Sequence, residues 1–148
     1  MKQTFYVMQF RGQAAPVEGS PNTLKAATRA SAGTVTTKLG AGGIESSLQP
    51  TPGQEATFES EVRFTGDNAF MESGTIAFGN GNGLRFSTVG QGYLGPSPEA
   101  GVQHGSVIWQ VDEGEGRLKG AKGLITSNFT VSEKGEVTDN HFGVLYVE

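Results

Sequence analysis

The sequence predicts an all-β fold: an antiparallel meander closed into a β-barrel of about eight strands, in one domain spanning residues 1–148. Three observations predict it. Glycine supplies 23 of the 148 residues, about twice the usual share of roughly 7%. Short stretches alternate apolar and polar residues with the two-residue period of a half-buried strand. Between them, at spacings of roughly 8–15 residues, sit clusters of Gly, Pro, Asn and Asp of the kind hairpins need. Closing such a meander removes both exposed edges, whereas a sandwich needs longer cross-connections.

Thr4 to Phe10 reads as a first strand. Thr23 to Ala32 (TLKAATRASA) carries good helix formers behind a Thr, so at most one short helix is expected there, with a face made mostly of Ala. Thr34 to Leu39 and Ile44 to Leu48 read as strands around Gly40-Ala41-Gly42-Gly43, and Pro50 to Gly53 as a loop. Thr57 to Thr65 sets Phe58, Ser60, Val62 and Phe64 against Glu59, Glu61 and Arg63. Gly74 to Phe78 and Leu84 to Val89 flank a Gly/Asn turn and put Ile76, Phe78, Leu84 and Phe86 on apolar faces. Gly90 to Gly105 is the longest break and reads as a lid or entrance loop, with Tyr93 and Leu94 its large side chains. Val107, Trp109 and Val111 share one face of the next strand, and Ile125, Ser127, Phe129 and Val131 share a face of the one after. His141 to Val147 closes the chain with Phe142, Val144 and Tyr146 together.

Charge and composition exclude several functions. With 11 Lys plus Arg against 15 Asp plus Glu, the net charge of −4 argues against a nucleic-acid clamp, which needs a basic patch to displace counterions. The chain has no Cys, hence no disulfide frame, thiolate nucleophile or zinc finger. No apolar run approaches the roughly 20 residues of a membrane span, so no membrane partner is expected. The expected setting is cytoplasmic.

The run Gly114-Glu115-Gly116-Arg117-Leu118-Lys119-Gly120-Ala121-Lys122-Gly123 resembles the G-x-G-x-[FL]-x-G-A-x-G signature that opens a late barrel strand in allene oxide cyclases and plant dirigent proteins. The preceding Gly105 to Val111, with Trp109, is similar to the equivalent strand of small bacterial calycin-like barrels of unknown function. The likeness covers roughly Phe64 to Val131. It implies a barrel whose mouth or lumen takes a hydrophobic small molecule and steers its cyclisation or isomerisation by cavity shape, with acid/base assistance and no cofactor. It also admits a homo-dimer or homo-trimer. No catalytic residue of either family aligns here, so none is transferred. The run is not a phosphate loop, because no Gly-Lys-Ser/Thr ends it and strand patterning follows.

The polar candidates come from the residues themselves. His141 has the ordinary pKa for proton transfer, but a strand-start His bonded to its turn is the plainer reading. Two His this far apart, His104 and His141, make no metal site, and Asp112-Glu113-Gly114-Glu115 lacks the spacing of a calcium loop. Glu59, Glu61 and Arg63 form either a solvated face or, in the rival account, a lumen wall on which Glu59 or Glu61 acts as base while Arg63 or Arg85 holds an anionic group. Asn128, on the same kind of parity, could bind a carbonyl oxygen; Asn128-Phe129-Thr130 also matches a glycosylation sequon. Phe86, Tyr93, Trp109, Asn128, Phe129 and Tyr146 are the expected ligand contacts. Eight strands leave space for side chains or one small ligand. The interior is expected to be aromatic with a pocket toward one mouth, its rival being a solid core of rings. The absence of a triad, metal set or cofactor fingerprint leaves open a non-catalytic carrier for a hydrophobic metabolite.

Overall fold

A computed structural model describes residues 1–148 as nine β-strands and one turn of 3₁₀ helix. The strands are β1 (Lys2–Pro16), β2 (Thr23–Gly40), β3 (Gly43–Phe64), β4 (Ala69–Gly79), β5 (Asn82–Thr88), β6 (Gly92–Pro96), β7 (Val102–Glu115), β8 (Lys122–Ser132) and β9 (Glu136–Val147). All neighbours are antiparallel, in the order β3-β2-β1-β9-β8-β7-β5-β4-β6, and β3 pairs with β4 to close the sheet into a ring. The first strand meets the last over Lys2–Gln13, so the two ends of the chain are hydrogen-bonded together.

The ring has eight places, and β5 and β6 share one of them. Strand β5 bridges β4 to β7 along Ser73–Gly79 and Trp109–Glu115, while β6 fills the remaining gap by pairing Ala69–Phe70 with Gly92–Tyr93 and Gln103–Ser106 with Tyr93–Pro96. The expected lid between Gly90 and Gly105 is therefore a wall segment. Backbone bonds on both sides hold it, with Leu94 pointing inward and Tyr93 outward.

Thr23 to Ala32 is strand, not helix. Thr28 and Ala30 are buried and Ala26 half-buried, while Lys25, Ala27 and Arg29 are exposed, a period of two. Both edges are paired, Leu24–Arg29 with β1 and Thr23–Ser31 with β3. Ala over Thr in helix propensity is worth less than about 1 kcal/mol per residue, and two ladders outweigh it. Pro50 to Gly53 also lies within a strand, β3, rather than in a loop.

Beyond the register shift at Ser31/Gly33, β2 and β3 leave the ring and run on as a two-stranded arm, with Thr34–Leu39 facing Ile44–Gln49. Every residue from Gly33 to Glu55 is exposed. Val35, Leu39, Ile44 and Leu48 share one face of this arm, because Val35 lies opposite Leu48 and Leu39 opposite Ile44.

Inside the ring the middle layer is aromatic. Phe10, Phe58, Phe86 and Trp109 are each at most 2% exposed, with Phe86 and Trp109 centroids 4.4 Å apart and Phe58 and Phe86 5.4 Å apart. Tyr6 packs edge-on against Phe78 toward one end. Burial of the Phe58, Ile76, Leu84, Trp109 and Ile125 faces follows the alternation in the sequence. Strand β9 is the exception, because it buries Val137, Asp139, His141 and Leu145 while Phe142 and Tyr146 lie outside.

Candidate functional site

Between the aromatic layer and the end of the ring that carries the β1–β2, β3–β4 and β8–β9 turns, the interior is not filled. A cavity of about 60 Å³ lies there, several times the roughly 10–15 Å³ that one water needs. Leu24, Val62, Phe64, Leu94 and Val131 are half-buried around its mouth, with Phe70 and Phe129 edge-to-face at 5.9 Å on one wall. Eleven of the 14 lining residues are hydrophobic; the polar ones are Thr28, Glu72 and Asp139.

Two buried carboxyl groups, on strands at opposite sides of an apolar cavity, define this site. Glu72 comes from β4, where parity with Phe70 and Ile76 turns it inward. The Ser60 hydroxyl donates to its Oε2 at 2.6 Å. Burial pushes the Glu72 carboxyl up to about 8; the Ser60 hydrogen bond opposes that shift, the negative charge of Asp139 adds to it, and the Trp109 indole N–H opposes it weakly. That N–H faces the carboxyl without a hydrogen-bond partner close enough to satisfy it. At pH 7 Glu72 is thus mainly a neutral acid, able to donate a hydrogen bond or a proton.

Asp139 comes from β9 and is clamped on both oxygens. Ser127 on β8 donates to Oδ1 at 2.5 Å, and His141 Nε2 lies 2.9 Å from Oδ2. His141 itself is 1% exposed, stacked on Phe10 at 4.3 Å and set edge-on to Trp109 at 5.0 Å. It does not line the cavity but touches two residues that do, Asp139 through Nε2 and Phe58 edge-on at 5.4 Å, and it lies in the middle of β9 rather than at a strand start bonded to a turn. Burial, and then the Asp139 charge, pushes the Tyr6 phenol well above its ordinary range. The Tyr6 hydroxyl, Thr28 Oγ1 and His141 Nδ1 are all buried without partners. Thr28 is also one of the residues that line the cavity.

The residues expected from sequence are scattered by the fold. Glu59, Glu61 and Arg63 stand on the outer face of β3, so the lumen-wall account of them is overturned: they alternate with the buried Phe58 and Ser60. Arg85 also points outward and pairs with Glu113, both more than half exposed. Tyr93, Asn128 and Tyr146 lie outside the ring. Phe86 and Trp109 are sealed in the aromatic layer and do not line the cavity; Phe129 does. Of the proposed acid/base candidates only His141 is inside.

Glu72, Asp139, Ser60, Ser127 and Thr28 were not singled out as a site. Parity was the available signal for the first, since Phe70, Glu72, Ile76 and Phe78 alternate on one side of β4. In β9 the competing apolar parity of Phe142, Val144 and Tyr146 hid Asp139. No helix of the chain is long and apolar enough to cross a membrane, and no cluster of three or more His, Asp or Glu could hold a metal ion. No protein family, curated protein or solved structure matches this chain.

Proposed function

We propose that the closed ring is a small β-barrel of the calycin-like kind, similar in design to allene oxide cyclases. On this reading it takes a hydrophobic small molecule through the Leu24–Phe64–Leu94 mouth and assists its isomerisation or cyclisation without a cofactor. The observation that carries this is a neutral glutamic acid and a clamped aspartate on the wall of one apolar cavity. Such a pair divides proton work: Glu72 donates to a carbonyl oxygen while Asp139 accepts a proton from the neighbouring carbon. An enol forms, leaving Glu72 ionised and Asp139 protonated; the enol O–H then returns its proton to Glu72 while Asp139 delivers its proton to a different carbon, which gives the isomer and restores both groups. The favoured ligand is a neutral ketone, enone or similar carbonyl compound. A carboxylate would meet the charge of Asp139 in a low-dielectric site. The cavity admits the reacting end of such a molecule, while the rest lies among the half-buried rim side chains.

The small volume and the lack of an oriented nucleophile favour, as second reading, a carrier that only binds. One experiment separates the two. Cyclic enones and medium-chain ketones are titrated against the protein in D₂O, with Trp109 emission reporting binding and proton NMR reporting deuterium entry beside the carbonyl. Exchange that needs the protein and is lost in Glu72→Gln supports the catalytic reading. Binding without exchange supports the carrier, and neither binding nor exchange overturns both.

A further inference from the structure

Two Asn-Gly pairs stand side by side in the β4–β5 hairpin, Asn80-Gly81 and Asn82-Gly83, and the fold gives them opposite surroundings. Such a pair carries its own chemistry. The main-chain nitrogen after an asparagine can reach that residue's Cγ, and glycine leaves the nitrogen unscreened because it has no side chain. Every other asparagine is followed by a residue with a side chain: Asn22 by Thr23, Asn68 by Ala69, Asn128 by Phe129 and Asn140 by His141.

Asn80 and Gly81 form the two-residue turn between Gly79 and Asn82, which pair across the hairpin. Both turn residues are exposed and left-handed, with φ of 56° and 76°. A Cβ on Gly81 would meet nothing within 4 Å, so the space beside it is open. Asn82 is held instead. It lies half-buried in β5, and its Oδ1 accepts the Arg117 N–H at 2.8 Å. Gly83 pairs with Ala77 of β4 on one side and with Glu115 of β7 on the other, so its nitrogen sits within the sheet. For Asn82 to react, its side chain must leave Arg117 and the Gly83 backbone must leave its ladder.

We infer that Asn80 is a self-modification site of this protein and that the fold protects Asn82 beside it. The Gly81 nitrogen gives up its proton to a solvent base and attacks Asn80 Cγ. The bond from Cγ to the side-chain nitrogen breaks, and that nitrogen leaves as ammonia with a proton from water. The cyclic imide so formed takes up one water. Opening at Cγ gives aspartate, and opening at the main-chain carbonyl gives isoaspartate. The net change is an amide NH₂ replaced by a hydroxyl, with nothing oxidised or reduced, and the new acid adds one negative charge. That charge falls beside the groove lined by Gly79, Gly81, Arg85, Glu113 and Glu115, where carboxylates already outnumber cations. In the isoaspartyl form the main chain passes through the former side chain, so the tight turn is one atom longer. Its α-carboxylate is then an acceptor for enzymatic carboxyl methylation. The β4–β5 turn lies at the end of the ring opposite the cavity mouth, so the inference stands apart from the catalytic reading.

The test incubates the full chain at mildly alkaline pH, folded in one arm and unfolded in urea in the other. Peptide mass spectrometry follows each asparagine, and carboxyl methylation with a labelled methyl donor counts isoaspartate. In the folded protein Asn80 should convert while Asn82 converts at least roughly 10-fold more slowly, because its reaction waits on local opening. In urea the two pairs are chemically alike and should convert at similar rates. Asn80→Gly, which suits the left-handed turn, should remove the fast conversion and leave circular dichroism and Trp109 emission unchanged. Equal rates at Asn80 and Asn82 in the folded protein would overturn the inference. So would faster conversion at Asn82, or a folded protein that converts neither residue while the unfolded chain converts both.

Discussion

Glu72 and Asp139 line one apolar cavity from opposite sides of the ring, and each is held by a different serine, Ser60 on the neighbouring β3 and Ser127 on the neighbouring β8. The two serines do unequal work. Asp139 is also bonded by His141, whereas Glu72 has one good donor and an unsatisfied indole nearby, so burial dominates its chemistry.

Stability should fall as pH rises through the neutral range. The Glu72 carboxyl is raised from an ordinary 4.5 to about 8 in the folded protein, so between those values the folded state holds a proton that the unfolded state has released. Its contribution is fully present below pH 4.5 and lost by the time pH passes 8, a change on the order of a few kcal/mol. Urea unfolding at a series of pH values should show that slope. Glu72→Gln, which cannot ionise, should flatten it; an unchanged slope would place the titration elsewhere.

Ser127→Ala should cost about 1–3 kcal/mol, because it leaves a buried carboxylate oxygen of Asp139 without a donor. Ser60→Ala should cost less at pH 6 than at pH 9, since its hydroxyl supports the ionised form of Glu72 in particular. Comparing the two variants by denaturant midpoint at both pH values checks the assignment.

Two glycines of the Gly114–Gly123 run should respond differently to alanine. Gly123 has φ of 145°, and a Cβ there would sit 2.1 Å from the Val144 carbonyl oxygen, so Gly123→Ala should destabilise by more than about 2 kcal/mol. Gly120 has φ of 77° but open space around it. Gly120→Ala should carry only the left-handed penalty of roughly 1–2 kcal/mol. Thermal unfolding of the pair measures the difference.

Replacing Thr34–Gln49 by a short turn should leave the ring intact, with the melting temperature shifted by only a few degrees. Nothing from Gly33 to Glu55 is buried, and a two-stranded ribbon contributes little stability alone. A large loss of stability would mean that the arm docks on the ring.

The strands from Thr57 onward were legible because Phe58, Ile76, Phe86, Trp109 and Ile125 alternate with polar neighbours, and a strand with one dry face has little choice of register. Legibility failed where alternation did not distinguish the faces. In Thr23–Ala32 the buried side chains are Thr and Ala, too small to mark an apolar face, so helix propensity filled the gap. In β9 both parities carry large residues, with Val137, His141 and Leu145 on one and Phe142, Val144 and Tyr146 on the other.

What the amino-acid order determined by itself was the class of fold, some of the hairpin turns and most of the aromatic layer, all local consequences of a two-residue period and of glycine. Only the closed sheet decided which parity of β9 is interior, that Glu59 and Glu61 face water, and that Glu72 and Asp139 line one cavity. The physical reason is that β4 and β9 lie far apart along the chain, and their inward faces meet only when β3 bonds to β4 and β1 to β9.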